Sequence, residues 1–541
     1  MQPFDHTGQF RGIHDSAESS QRTVRNAGIT VFAQSCVFLI QLLGAIVLAR
    51  LLTPGDFGIV TMVTTFSLLL ASFGLTGFTD AIIQTPSIDH ALASNLFWIN
   101  LGGGFCVASA FAAIGQLLAR FYGDPRITKV AIGFSVAIFF SVLPVVHLSL
   151  VKRALRFTAA SGNDIFGRIA YVLTAICFAC LHWGYWSLVA GAIVQPVAMC
   201  VGAWLLCPWR PGAPCRVANT GKMVRYAMNV YGRFSLNYGT GNMDNLLVGW
   251  RFGASALGFY KRAFDLFVIP SCQLLSPVLA VVVTAMSRKN NDKQEFKRYF
   301  LKAVCLVAFV AMAASADLTL IGRDLVRLLL GTAWGESGRI FLYFAPGIGL
   351  MLVYQTTAWI HLSLGTTSRW LRWTVLEFAV TGLLFLAGLR WGPSGIAGAW
   401  TTSFAVLMMP GFWYAGRPIG LTFGQVLEAI WRYAGAALIA GFACYQVVGR
   451  VTWSPITNPY GLLGAIARIV ANTTIFSLFY LVAISALFLS FEPLRQFSRL
   501  VPDLLPGASR LRRARPVAES KQDISAPTTE EALPEATFES K

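Results

Sequence analysis

Residues 145–150 read VVHLSL and residues 359–364 read WIHLSL. Each stretch lies late in a long apolar run and just ahead of basic residues, Lys152 and Arg153 after the first, Arg369 and Arg372 after the second. One tetrapeptide, His-Leu-Ser-Leu, at the same place in two segments suggests that one half of the chain copies the other, and an internal repeat decides the reading of a whole fold.

The runs around both copies belong to a series that fills the chain. GITVFAQSCVFLIQLLGAIVLA (28–49) and FSLFYLVAISALFLSF (476–491) are further members. Of 541 residues, 55% are hydrophobic and 13% charged, with mean hydropathy +0.60; soluble proteins carry about 25% charged residues. Apolar runs of about 20 residues cross the roughly 30 Å hydrocarbon core as helices. The short alternating strands of an outer-membrane barrel are missing from the pattern. The fold class is therefore an all-α polytopic membrane protein. About 14 spans are expected, at 27–49, 57–84, 91–119, 130–151, 163–182, 185–206, 226–249, 257–286, 299–321, 340–364, 371–389, 394–415, 430–449 and 468–490.

Charge tests that count. With the N-terminus inside, cytoplasmic segments take about 27 of the 43 basic residues and the opposite loops about 11. An even number of spans and two cytoplasmic termini satisfy the bias. The net charge of +18 and pI of 9.7 then follow from topology and from attraction to anionic inner-membrane lipids. Nucleic acid is not an expected partner, because the basic residues are scattered over short loops. The polar N-terminus has no signal-peptide pattern.

Extending the tetrapeptide exposes further matches. At an offset of 200, VRNA (24–27) lies over VRYA (224–227), and LLTPGDFGIV (51–60) over RFGASALGFY (251–260). At 214 the two HLSL segments superimpose (His147 on His361), and at 211 GYWSLVAG (184–191) faces GIAGAWTT (395–402). The drift calls for an insertion of roughly 14 residues in the second copy, placed at 287–339. The expected organisation is a disordered cytoplasmic segment at 1–22, a six-helix bundle at 23–206, a cytoplasmic linker at 207–225, a second six-helix bundle at 226–415, two further helices at 416–490, and a basic, then disordered, tail at 491–541. Even-numbered copies are parallel repeats, a transporter architecture whose halves enclose a central cavity.

Polar groups inside spans are costly and mark such cavities. The densest region is RFSLNYGTGNMDNLLVG (233–249) followed by GFYKRAFDLF (258–267). Arg233, Asn237 and Asp244 fall close to one helical face, and Lys261 with Asp265, like Asp164 with Arg168, are spaced to pair. Basic groups outnumber nearby acids, so the cavity favours an anion, for which arginine offers a bidentate fork. Candidates for substrate contact are Arg233, Arg262, Lys261, Arg168, Asn237, Asn242 and Tyr238. Candidates for proton or ion coupling are Asp244, Asp265, Glu377, Asp164, His147 and His361. Among enzyme and pump signatures, no Walker A, HExxH, nucleophile-elbow or Rossmann motif is placed to act. CFAC (177–180) lacks a second pair or a histidine cluster. No metal, cofactor or catalytic residue is expected.

Four strings carry a resemblance: ARLLTPGDFGIVTMV (49–63), LVKRALRF (150–157), DNLLVGWRFGASALGFYKRAF (244–264) and LGTTSRWLRW (364–373). Together they resemble polysaccharide-exporting flippases of the Wzx type, in the multidrug/oligosaccharidyl-lipid/polysaccharide (MOP) exporter superfamily. Arg262 and Ala263 fit the family pattern, whereas Lys261 departs from it. The resemblance implies two six-helix bundles plus two helices in the bacterial inner membrane. It also implies alternating access that moves an undecaprenyl-pyrophosphate-linked oligosaccharide outward for exopolysaccharide, capsule or lipopolysaccharide synthesis. A polysaccharide polymerase and export machinery are the implied partners, and Tyr238, Tyr260 and Trp250 the implied sugar-stacking rings. Rival readings are a lipid II flippase, a drug or cation antiporter, and a polymerase or ligase. The last needs a large periplasmic loop, and the longest outside connection expected here is 322–339.

Overall fold

The boundary between the first two spans shows how this sequence writes a turn. In the computed structural model, α1 (Ser19–Leu51) stops just short of α2 (Pro54–Gln84). Thr53 caps α2: its hydroxyl accepts from Asp56 N at 3.3 Å, while Asp56 Oδ2 accepts from Thr53 N at 3.0 Å and Thr53 Oγ1 at 2.6 Å. With Pro54 at the first helical position, this capping box is the physical content of LTPGDFG.

The structure describes residues 3–5, 8–10, 19–85, 87–215, 220–288, 292–450 and 462–488. The chain continues through α3 (His90–Tyr122), α4 (Arg126–Val142), α5 (Val145–Arg153), α6 (Phe157–Cys180), α7 (Trp186–Leu206), α8 (Thr220–Thr240) and α9 (Met243–Pro270). A π-turn over Ser271–Leu275 leads to α10 (Ser276–Ser287), and then come α11 (Lys293–Leu330), α12 (Gly335–Gln355), α13 (Thr357–Ser363), α14 (Thr367–Gly388), α15 (Gly392–Gly416), α16 (Phe423–Val448) and α17 (Leu462–Phe488). Among the described residues there are no strands, only isolated bridges.

Length and hydropathy single out 11 membrane-crossing stretches. One of these, Ser368–Ile419, contains two helices, α14 and α15. The polar pair over 220–287 is not among them, because its charges lower the hydropathy. Counting those spans separately returns the expected 14. Contacts agree with the alternation. At the end away from the N-terminus, Trp334 Nε1 donates to Ala49 O at 2.7 Å, Arg50 Nη2 donates to Leu328 O at 2.8 Å, and Phe121 stacks on Trp250. At the N-terminal end, His90 Nε2 meets Arg210 O at 3.2 Å and Lys297 Nζ donates to Gly420 O at 3.2 Å.

Three expectations are corrected. Residues 322–339 are not a loop: α11 runs on to Leu330 and only 331–334 separate it from α12. The apolar residues of DLVRLLL keep the helix going, burying Val326 and Leu330, and Trp334 is fully buried at the turn. The offset between the copies does not come from one insertion. It is 203 where α3 and α11 begin (His90, Lys293), 208 at the positive-φ glycines that end them (Gly123, Gly331) and 214 at the histidines, so helix lengthening spreads it out. The segment expected to be disordered at 1–22 includes a short hairpin. Phe4 bridges to Phe10, packs against His90 and Trp209, and is 8% exposed, while Arg153 lies over the Phe10 ring at 5.3 Å. Aromatic burial against α3 and the segment after α7 outweighs the polarity of that stretch. The tail at 491–541 lies outside the described residues.

The hairpin covers a core that includes the fully buried Cys207. With Cys207 as the sole cysteine, deleting residues 2–10 is expected to raise its maleimide labelling rate by at least about tenfold, since exposure controls thiol reactivity. An unchanged rate would mean that the hairpin does not shield this end.

The two halves meet along α2, which packs on α8 and α9. α9 turns at Gly253 (φ 80°, ψ −178°), a conformation that only glycine adopts readily. Its first part therefore completes the seventh span and its remainder starts the eighth. Beyond the turn, a Cβ on Gly58 would overlap the Ala254 carbonyl, and a Cβ on Gly258 would overlap the Pro54 carbonyl. Exchanging 54 with 254 and 58 with 258 reproduces the contact, as a twofold relation between the halves requires. Inside the first half, glycines also bring α6 and α7 close, here mainly against side chains: Gly167 lies against Met199, Gly202 against Asn163, and Gly191 against the Tyr171 carbonyl and ring.

The repeated tetrapeptide has one local job. Both copies lie in a short helix that follows a break, at Leu143–Pro144 before α5 and at Thr356 before α13, and both bury the histidine.

Candidate functional site

Arg168 on α6 and Arg262 on α9 belong to different halves, and both lie within electrostatic range of the Tyr171 hydroxyl. Each has its Nε buried with no hydrogen-bond partner. Arg262 Nη1 reaches Asp265 at 3.0 Å and its guanidinium covers the Phe57 ring at 4.1 Å. Lys261 Nζ reaches the other Asp265 oxygen at 2.8 Å. One carboxylate thus serves two cations, as the i,i+3 and i,i+4 spacings allow. Asp164 and Arg168, spaced for the same pairing, form no ion pair; Asp164 is exposed and within electrostatic range of Lys152 as well. Three cations face two carboxylates, which leaves the positive surplus that the composition of these spans implies.

Asp244 is fully buried and accepts from Tyr260 Oη at 2.8 Å, Trp400 Nε1 at 3.1 Å and Asn245 N at 2.8 Å. These bonds tie the seventh span to the eighth and twelfth. Asn242 sits at the break in the seventh span, with Nδ2 donating to Tyr238 O at 3.0 Å and Oδ1 accepting from Asn245 Nδ2 at 3.2 Å. Tyr238 points to α2, its hydroxyl 3.5 Å from Thr64 O. Tyr260 is spent on Asp244, and Trp250 stacks with Phe121 at the far end, so of the three rings expected to stack on sugars these two are otherwise engaged. The side chains of Arg233 and Asn237 lie outside the described residues.

Glu377 stands apart from this group, on the wall of a cavity of about 450 Å³ in the second half. The cavity opens between the break at Gly241, the π-turn after α9, α13, α14 and Trp400 of α15. Ser271 Oγ donates to Gln355 Oε1 at 2.6 Å across it, and Trp373 Nε1 donates to the Tyr354 hydroxyl, a neighbour of Glu377, at 2.7 Å. His147 and His361 sit at the N-terminal end, bonded to Trp209 O at 3.2 Å and Thr366 Oγ1 at 3.0 Å. Neither is hydrogen-bonded or ion-paired to Arg168, Arg262 or Glu377; each is held within its short helix, α5 or α13, by the bond just given.

Sequence reasoning passed over the aromatic cavity and a polar seam on α11. Arg468 of α17 grips Asp324 bidentately at 2.6 and 2.9 Å, and Thr473 donates to Asp317 at 3.1 Å. Asp317 and Asp324, seven residues apart on one helical face, were the available signal. Among the described residues no cluster of His, Cys, Asp and Glu is arranged to hold a metal.

Comparison with known proteins fits this geometry. The family model for "Polysaccharide biosynthesis protein" matches residues 47–339. The chain is 21% identical over 338 residues to the succinoglycan biosynthesis transport protein ExoT of Rhizobium meliloti (strain 1021), a match covering 62% of this chain and 68% of that one. It is 23% identical over 328 residues to the lipopolysaccharide biosynthesis protein WzxC of Escherichia coli (strain K12), covering 58% and 65%. The matches thus span about two thirds of these relatives' lengths. Among solved structures, the lipid II flippase MurJ in an inward closed conformation superimposes with a TM-score of 0.67 at 12% identity, over 85% of this chain and 99% of that one. An inward-facing multidrug resistance MATE transporter of the MOP superfamily gives 0.57 at 14%, over 71% and 94%. Folded like these MOP transporters, and matched over more than half its length, this multi-pass membrane protein belongs to the polysaccharide biosynthesis protein family.

Proposed function

We propose that the protein is a flippase that carries an undecaprenyl-pyrophosphate-linked oligosaccharide from the cytoplasmic to the periplasmic leaflet. The halves 23–206 and 226–415 rock against each other about the α2–α9 seam, and both termini are cytoplasmic. The observation that carries this reading is the pair Arg168 and Arg262, supplied by different halves, with unbonded Nε groups and both within electrostatic range of Tyr171. A pyrophosphate leaving water loses several kcal/mol of hydration per charge. Guanidinium forks offset that loss where the headgroup crosses. Because the two forks come from different halves, motion of one half against the other changes their spacing and so releases the anion.

The test is made in the host. Deleting the gene is expected to accumulate completed lipid-linked oligosaccharide units, quantified by mass spectrometry and reachable by enzymes only from the cytoplasmic side; the wild-type gene clears them. Arg168→Gln and Arg262→Gln are each expected to slow clearance by about ten- to hundredfold, the loss of one charge-assisted hydrogen bond. If no intermediate accumulates, or if single units reach the periplasm and stay unpolymerised, the flippase reading fails and a polymerase takes its place.

A further inference from the structure

We propose that the cavity of the second half is a binding site for one uncharged or amino-bearing sugar ring, and that it excludes acidic sugars. The assignment rests on the flippase reading and adds a second contact, separate from the arginines, for the part of the substrate beyond the pyrophosphate.

Four indoles line the cavity: Trp359, Trp370, Trp373 and Trp400. Three are backed by another ring, Trp370 by His361 (interplanar 5°), Trp373 by Tyr414 (24°) and Trp400 by Phe404 (21°). Trp373 and Trp400 are also fixed through their N–H groups, to Tyr354 and Asp244. Rings held this way lose little freedom when a ligand arrives. The volume of about 450 Å³ lies inside the roughly 300–1,000 Å³ range of small-ligand pockets.

The polar groups choose the ligand. Trp359 is fully buried, lines the cavity and has its indole N–H unbonded, so it lacks the acceptor that a buried indole ordinarily finds. Gln355 spends its carbonyl on Ser271 and keeps its amide N–H groups for a ligand. Glu377 supplies acceptors, and Thr381 a hydroxyl. A sugar ring meets Gln355, Glu377 and Thr381 at once, with C–H faces for the indoles and hydroxyls that both donate and accept. A purely apolar ligand would leave the Gln355 amide and the remaining acceptors of Glu377 without a partner. An organic cation would use the indoles and Glu377 but offer no acceptor to the Gln355 amide. Among the described residues no Lys or Arg stands on the cavity wall to pair with an anion, and Glu377 puts a second carboxyl group in its way.

The probes are N-acetylglucosamine, glucose, glucuronic acid and tetramethylammonium, each added to the full-length protein in nanodiscs and followed by saturation-transfer NMR. Saturable transfer to the ring protons of the two uncharged sugars is expected, with none to glucuronic acid. The half-buried Trp370→Leu, checked for monodispersity, is expected to weaken sugar binding at least about tenfold. Glu377→Gln is expected to admit glucuronic acid. Absence of saturable sugar binding, glucuronic acid bound as well as glucose, or binding by tetramethylammonium alone would each overturn the assignment. The host experiment separates the two proposals. Accumulated lipid-linked units without sugar binding would sink the cavity assignment alone, whereas sugar binding without accumulation would sink the flippase reading.

Discussion

Gly258→Leu is expected to leave almost no folded protein in the membrane, and Gly58→Leu to behave the same way. The added Cβ would stand inside a backbone carbonyl of the facing helix, so no rotamer relieves it and α2 and α9 must move apart. Overpacking a well-filled contact costs about 1–3 kcal/mol when side chains give way, and here the obstacle is main chain. Thermal aggregation midpoints in detergent, with Gly102→Ala as control, measure the effect. Gly102 has open space around its Cβ position, so that change is expected to be neutral or to add up to about 1 kcal/mol through helix propensity. Both glycines serve one crossing, so the double variant is expected to be little worse than either single one. Wild-type midpoints for Gly58→Leu and Gly258→Leu would show that the crossing is looser than described.

Asp244→Ala is expected to be the next most damaging change. It strips the acceptor from the Tyr260 hydroxyl and the Trp400 indole, both held around a fully buried carboxylate. Each buried donor left unpaired costs about 1–3 kcal/mol, which puts the total at several kcal/mol. Tyr260→Phe removes one donor and leaves the carboxylate two others, so it is expected to cost about 0.5–1.5 kcal/mol. A double-mutant cycle over Asp244 and Tyr260, read by the same midpoints, should show strong non-additivity. If Asp244→Ala matches Tyr260→Phe, the network is not shared in the way described.

These two sites also show how far the sequence carries. The contact at 54, 58, 254 and 258 was legible as a faint match of LLTPGDFG with RFGASALG, because duplication preserves the spacing of small residues even when identities drift. Lys261 with Asp265 was legible from i,i+4 spacing, and Asp244 from its cost inside a span. Arg262 sharing Asp265, and Asp164 standing apart from Arg168, were not, since helical spacing leaves the choice to packing. The ends of α11 were misread because a charged, amphipathic extension looks like a loop when hydropathy alone sets the boundary. The tryptophan cavity was hidden for a different reason. Its walls come from five separated segments, and a tryptophan in an apolar run carries no mark of the space beside it.

The glycine contacts that clamp α6 to α7 have a consequence for motion. Side chains of one helix seated directly on the bare glycine backbone of the other leave little room to slide, so α6 and α7 should travel as one block. The second half is hollow at α14 and α15 and interrupted at Gly241, Ser271–Leu275 and Thr356. Bending in the transport cycle should therefore concentrate there, so that in a repeated frame the α6–α7 pair stays stiff while its counterpart, α14 and α15, yields.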